Sequence, residues 1–359
     1  MSGSPAAPRR ILVTGATGFI GRRLMRRLLA EYGASSITCL VKASRSPFES
    51  KVLESYRAAG VHLIEGDLLS VPVAPVPPPA VDLVFHLAAN IDTQATEEEA
   101  RVNDVGTRQL IEWLRPVSRG ARLVYTSSVA VHDRDRDPDG PISETSPTVP
   151  RTVYGQTKLE GERIIRAASG SDGYSWTIVR LPTVYGPGQK PDGLFDKMLR
   201  WASEGGILGR IDWPGRTSII YVDDAADVMV DIASRDDTRN EVYCLASDEN
   251  LAVGELARGV GRFIGKPISP IPIPAPLLPA LRRLVWSRAL WALMPRLGRV
   301  SFWRLSLIIS DGFWFTTAKL RQTYRKPLKS LNEGLAAMSD ETGETQRRSQ
   351  RAASSGDTI

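Results

Sequence analysis

Tyr154 and Lys158 are the pair of residues in this sequence best placed to move a proton. They stand four positions apart in a stretch of helical periodicity, so a phenol and an ammonium project from one helical face. A phenol ionises at about pH 10 and is a poor proton carrier at neutrality; a cation held close favours its charged form and brings it toward the working range. The preceding strand, Ala121 to Val131, breaks its apolar run at Thr126-Ser127-Ser128. A serine hydroxyl there could hold a carbonyl oxygen and stabilise an alkoxide as it forms. Tyr-x-x-x-Lys arises by chance in many long chains, so its weight depends on the elements that come before it.

The first of these is Ile11-Leu-Val-Thr-Gly-Ala-Thr-Gly-Phe-Ile-Gly21, which reads as a strand, a tight turn and the start of a helix running to Ala30. Gly15, Gly18 and Gly21 would let backbone N–H groups and a helix N-terminus approach a diphosphate closely. The spacing is one residue longer at its start than the G-x-G-x-x-G fingerprint. A second strand, Ser36 to Val41, ends with Lys42 and Arg45 just beyond it. In a dinucleotide fold an acid closing this strand takes the ribose 2′-hydroxyl, and basic residues take a 2′-phosphate. Val41 with two cations therefore favours NADP over NAD, the alternative being that both cations point into water. Val61 to Leu68 is a third strand closing on Gly66-Asp67, whose carboxylate could meet an adenine amino group. Proline-dense 71–80 is a loop, and Val81 to Ala89 is a buried strand whose small end, Ala88-Ala89, permits close approach of a cofactor. His86 is expected to pack in or beside that strand. Glu97 to Arg115 is helical, and Asp133 to Arg151 is a surface loop leading into the helix of Tyr154.

The 359 residues allow one large α/β domain or two domains sharing a cleft. Lys and Arg number 46 against 40 Asp and Glu, for a net charge of +6. The cations are scattered among the acids, so the surface is read as solvated and no nucleic acid is expected. Cys39 and Cys244 fall in predicted strands and offer neither a disulfide framework nor metal-ligand spacing, which suits a reducing compartment. Met1 to Arg10 has no apolar h-region and no window is long and apolar enough to span a bilayer, so a cytoplasmic protein is expected. There are no repeats, and the polar 339–359 is expected to be disordered.

With these residues in view, the chain resembles an extended short-chain dehydrogenase/reductase. The resemblance rests on Thr14-Gly-Ala-Thr-Gly-Phe-Ile-Gly21, Gly66-Asp67-Leu68, His86-Leu-Ala-Ala89, Tyr125-Thr-Ser-Ser128 and Tyr154-x-x-x-Lys158. It continues through Arg180-Leu-Pro-Thr-Val-Tyr-Gly-Pro187, Tyr221-Val-Asp-Asp224 and Phe315 to Leu335, covering about residues 9 to 338. It implies an α/β fold with a Rossmann doubly wound parallel sheet over 9–180. A smaller, mostly C-terminal substrate domain follows over 181–338, with 217–246 returning to the core. It implies a Ser-Tyr-Lys site of Ser128, with Ser127 as fallback, Tyr154 and Lys158. It also places Gly15, Thr17, Gly18, Phe19, Ile20, Lys42, Arg45, Asp67, Leu68, Leu87, Ala88, Ala89 and Pro182 along the cofactor, beside Tyr154 and Lys158.

On the substrate side the family pattern is not met in full. Sugar-nucleotide members usually carry Asn where Thr183 stands, and an Arg at the position of Thr217, with Arg216 one step off. The Arg-x-Pro-x-Val-Tyr-Gly-Pro form is similar to that of members acting on steroids and dihydroflavonols. Pro270 to Pro276 is an extended lead-in to two helical patterns, Leu277 to Met294 and Val300 to Ile309, rich in Trp, Leu and Arg. They could roof an apolar pocket or form core, meet a second copy in a dimer, or touch a membrane surface. Gly205-Gly206 and Gly209 mark a loop at the lip of the pocket. The reading these features favour is an NAD(P)-dependent interconversion of alcohol and ketone on a steroid- or polyketide-like small molecule. A nucleotide-sugar epimerase or dehydratase with tightly bound NAD is the alternative, and a non-catalytic NADP-binding regulator is a third. A homodimer through the helices near Asn103 and Tyr154 is expected.

Overall fold

Seven short strands line up as one parallel sheet in a computed structural model of the chain, which describes residues 9–43, 46–132, 140–189, 194–204, 207–285, 287, 308–310 and 313–341. Arg45, Gly205-Gly206, nearly all of the Trp-rich segment beyond Val285 and the tail beyond Glu341 lie outside the described residues, with the expectations placed on them.

In chain order the strands are β1 (Ile11–Thr14), β2 (Ile37–Val41), β3 (His62–Glu65), β4 (Leu83–His86), β5 (Arg122–Ser128), β6 (Ser175–Leu181), then β7 (Thr183–Tyr185), β8 (Arg216–Thr217), β9 (Ile219–Tyr221), β10 (Glu241–Cys244) and β11 (Leu251–Ala252). The main sheet runs β10-β6-β5-β4-β1-β2-β3. The order reverses direction between β1 and β4, and at such a switch point the crevice beyond the strand ends takes a ligand. Short pairs β7–β9 (parallel) and β8–β11 (antiparallel) stand apart from it.

Both faces of the sheet are covered, and period-2 alternation sorts the side chains between them. Ile11 and Val13 face a cluster with Leu24, Met25 and Leu28 of α1 (Phe19–Tyr32) and Val228, Met229 and Ile232 of α8 (Val222–Ser234). Leu12 and Val84 face the other way, toward Leu110 and Ile111 of α4 (Val105–Leu114) and Ile164 and Ile165 of α5 (Val153–Asp172). A third cluster joins Tyr185, Phe195 of α6 (Leu194–Glu204), Leu256 of α9 (Val253–Phe263) and Leu335. It forms the core of the substrate side.

Several stretches differ from the reading of the sequence: the strand read over Ala121 to Val131 stops at Ser128 and turns through a 3-10 helix over Val129–His132. Glu97 to Arg115 is two helices, α3 (Glu97–Ala100) and α4, because a capping box at Thr96 and Glu99 starts the first and the Asp104 carboxylate caps Val105 to restart the second. Gly209 belongs to a short helix, α7 (Ile207–Arg210), rather than a loop. Ser339, Asp340 and Glu341, placed in the polar tail, close a helix over 331–341, and Glu341 pairs with Arg23 at 2.7 Å.

Candidate active site

The turn after β1 is shaped for close approach. Gly15 takes a φ of +73°, and a Cβ there would lie 2.7 Å from the Ala88 backbone nitrogen; on Gly21 it would lie 2.0 Å from the Gly15 carbonyl oxygen. A side chain is thus excluded at both of these positions where β1 meets α1. Gly18, exposed at the N-cap of α1, has no side-chain cap, and the first turn of the helix carries no acid. Backbone N–H groups there are left to an anion, as a diphosphate requires. The Tyr56 hydroxyl steadies the turn by donating to the Ala16 carbonyl at 3.2 Å, and Thr17 Oγ1 donates to Glu49 Oε1 at 3.3 Å. These residues fit a dinucleotide.

Val41 closes β2 with no acid, and Lys42, exposed beside it, lies 3.6 Å from the Asp67 carboxylate. Two residues expected on the cofactor therefore meet each other at the rim. Gly106 of α4 packs against Leu68, where a Cβ would come 3.1 Å from the Leu68 Cβ. Phe19, Ile20, Leu87, Ala88, Ala89 and Pro182 are all half-buried around the strand ends.

A buried hydrogen-bond chain fixes Ala88. The Asn103 carbonyl only accepts, so Thr107 Oγ1 donates to it at 2.7 Å and in turn accepts from His86 Nε2 at 2.9 Å. His86 Nδ1 then carries no proton and accepts from Thr14 Oγ1 at 2.7 Å, and that oxygen takes the Ala88 N–H at 3.2 Å. Burial, with Lys158 adding to it, pushes the His86 imidazole down to about 3, which keeps it neutral as the chain of donors demands. The expectation that His86 packs within its strand holds. Asn103 continues the chain by donating to the Asn90 carbonyl and to Thr157 Oγ1, each at 3.0 Å, which ties the turn ahead of α4 to α5.

On α5, Tyr154, Lys158 and Glu162 follow at intervals of four and share a face. Lys158 is 2% exposed, with its Nζ 4.5 Å over the Tyr125 ring. Burial lowers its ammonium to about 7, opposed by the charge of Glu162. The Tyr125 phenol is held well above its ordinary value by burial, then by the charges of Glu162 and Tyr154. Two glycines let the helix close on the strand. A Cβ on Gly161 would sit 2.2 Å from the Tyr125 hydroxyl, and one on Gly155 would sit 2.4 Å from the Ala130 carbonyl oxygen. Ala130 also donates its N–H to Ser128 Oγ at 3.2 Å. The first turn of α5, with Tyr154, therefore lies against the turn that holds Ser128.

Ser127 points elsewhere. Its Oγ donates to Glu162 Oε1 at 2.6 Å, and Arg180 of β6 grips the same carboxylate through Nε and Nη2, both at 2.9 Å. Arg180 and Ser127 hold the Glu162 carboxyl below its ordinary range against the opposing effect of burial. This pair was missed in the sequence. Its signal was an arginine inside the apolar run of β6, which a buried charge occupies only with a partner.

The two cysteines are buried in β2 and β10, and burial pushes the Cys39 thiol up to about 12, so neither is a nucleophile. Among the described residues no group of His, Cys, Asp or Glu could hold a metal ion, and no helix is long and apolar enough to cross a membrane.

Residues 11–246 match the family model described as "NAD dependent epimerase/dehydratase family". A trifunctional UDP-glucose 4,6-dehydratase/UDP-4-keto-6-deoxy-D-glucose 3,5-epimerase/UDP-4-keto-L-rhamnose-reductase of Arabidopsis thaliana is 26% identical over 72% of the chain, which spans 40% of that relative's length. A 2'-dehydrokanamycin reductase of Streptomyces kanamyceticus is 29% identical over 74% of the chain and 70% of its own. Among solved structures, a variant UDP-glucuronic acid 4-epimerase of Bacillus cereus, in complex with NAD and a fluorinated UDP-sugar, shares the fold. It superposes with a TM-score of 0.70 at 21% identity, covering 93% of this chain and 99% of that one.

Proposed function

The chain belongs to the NAD dependent epimerase/dehydratase family and is an NAD(P)-dependent enzyme of the extended short-chain dehydrogenase/reductase type, and on that premise we propose that it oxidises a carbinol of a nucleotide sugar and returns the hydride in the same site. The observation that carries the redox chemistry is Lys158, buried on one helical face with Tyr154 beside the turn of Ser128. The bound dinucleotide supplies a hydride acceptor and donor at its nicotinamide. The chain supplies the rest. Tyr154 takes the carbinol proton as the ketone forms and gives it back on reduction. The Lys158 ammonium favours the phenolate, and Ser128 holds the substrate oxygen. Gly15, Thr17, Gly18, Phe19 and Ile20 would seat the diphosphate, with Leu68, Leu87, Ala88, Ala89 and Pro182 lining the crevice and Lys42 and Asp67 at the adenosine end. With Val41 closing β2 and a cation next to it, the 2′-phosphate form is the preferred cofactor.

The relatives named for UDP-sugars move the substrate toward nucleotide sugars and away from the steroid- or polyketide-like ketone expected from the sequence. A second reading, net reduction of a ketone without a nucleotide, is favoured by one observation. Thr183 and Thr217 present short hydroxyls where sugar-nucleotide members usually carry Asn and Arg, and Thr217 Oγ1 turns to the Ser218 carbonyl at 3.4 Å. The similarity to a 2'-dehydrokanamycin reductase agrees with it. Purified protein assayed with UDP- and dTDP-sugars decides between them. The transient-oxidation reading expects cofactor released on heat denaturation and sugar isomer or dehydration product formed with no net NAD(P)H consumption. Stoichiometric NADPH loss with a non-nucleotide ketone, and no reaction of any nucleotide sugar, would overturn it.

A further inference from the structure

Beyond the catalytic reading, and independent of it, α10 (Leu277–Val285) carries more apolar surface than the substrate-side core takes up. Leu278 and Leu281 pack on that core. Leu277 and Leu284, each 53% exposed, lie seven residues apart on another stripe of the same helix, with exposed Ala280 between them. The apolar arc is thus wider than the packed face, which a helix satisfied by its own domain does not need. The lead-in adds exposed Pro274, Ala275 and Pro276 at the helix start.

Charge distinguishes what this face fits. Arg283 is exposed next to the stripe, and Arg282 is half-buried with its Nε on the Ile309 carbonyl at 3.2 Å. Arg210, also exposed, flanks the lead-in by donating to the Ser269 carbonyl at 3.4 Å. In the sequence, Leu256 to Ser310 contains nine Lys or Arg and no Asp or Glu. The rest of the chain mixes the two signs closely, so this 55-residue interval is a local excess even with Arg258 paired to Asp212 from outside it. A second copy docking here would bring like charge to like charge. Anionic headgroups over acyl chains match both features: leucines enter the interfacial layer, and arginine stems lie along it with their guanidiniums at the phosphates.

We propose that the Leu277, Ala280 and Leu284 face of α10 docks the protein on an anionic membrane surface, with Arg283 at the lipid phosphates. The test is co-sedimentation of the full chain with vesicles of phosphatidylcholine alone or with about 30% phosphatidylglycerol, at low and high salt. Wild type is expected to sediment with the anionic vesicles, to release at high salt and to ignore the neutral ones. Leu277→Glu/Leu284→Glu should lower binding at least about tenfold and Arg283→Glu several-fold, with the thermal unfolding midpoint and far-UV circular dichroism unchanged in both as the check on folding. No binding of wild type to anionic vesicles, equal binding to neutral ones, or unchanged binding by the double variant would overturn the proposal. So would a wild type that ignores vesicles and forms a dimer that the double variant breaks, because the face would then belong to a second copy.

Discussion

Lys158 is asked to do two incompatible things, and its position shows which one prevails. A buried ammonium is costly to the fold, yet the phenol of Tyr154 needs a cation near it. With its value lowered to about 7 from 10.5, the lysine binds a proton less readily in the folded chain than in the unfolded one. Below about pH 7 both states hold the proton and the cost is full; between about 7 and 10 the unfolded state binds more protons, so stability rises with pH. Lys158→Met should remove that rise in urea unfolding across this range and gain on the order of a few kcal/mol at pH 7. The same variant should lower turnover by about 10²–10⁴, as should Tyr154→Phe. A Lys158→Met protein that is less stable at neutral pH would show that the ammonium is well compensated. The chemistry of this pair was legible because i and i+4 spacing is local. The partners of Glu162 were not, because Ser127 and Arg180 reach it from strands that only the sheet brings together.

Elements meet here through glycines, and a single helix contains both a test and its control. Gly155 of α5 sits where a Cβ would strike the Ala130 carbonyl and Pro150, whereas Gly170 of the same helix has nothing within 4 Å. Gly170→Ala should stabilise the chain by about 0.5–1 kcal/mol through backbone entropy. Gly155→Ala should cost about 1–3 kcal/mol and slow turnover more than it weakens cofactor binding, since it pushes Tyr154 away from the turn of Ser128. Calorimetry and steady-state kinetics on the two variants separate these effects; equal changes would dismiss the packing argument. A second test concerns the chain from Thr14 to Asn103. Thr107→Val leaves the buried His86 Nε2–H without an acceptor and should cost about 1–3 kcal/mol in urea unfolding. The strands were legible as apolar runs ending in small or hydroxylated residues. The break at Arg101 to Asp104 was not, because hydrophobic periodicity runs through it and side-chain caps decide where the helix restarts.

At the scale of the molecule, the segment from Leu328 to Glu341 joins the dinucleotide side to the substrate side, and two of its ion pairs differ in what they are worth. Gly334 packs on the Tyr185 hydroxyl, which donates to the Ser330 carbonyl at 3.3 Å, so the segment sits on the substrate-side core. Lys329 reaches α8, where the 5% exposed Asp224 accepts from its backbone N–H at 2.6 Å and from its Nζ at 2.8 Å. Glu341 reaches α1, where Arg23 also holds the Pro187 carbonyl at 3.2 Å. Sequence showed the closing motif but not this bridge, since contacts across hundreds of residues leave no local period. Glu341 is 36% exposed, so Glu341→Gln should cost no more than about 1 kcal/mol. Lys329→Met strands a buried carboxylate with only a backbone donor and should cost about 2–3 kcal/mol. The Asp224→Asn/Lys329→Met double variant should recover much of that loss, because the uncompensated charge is gone. Thermal unfolding of the three variants checks the order. A double variant no more stable than Lys329→Met would mean that the lysine acts through packing on the Tyr221 ring, 5.1 Å away, rather than through its charge.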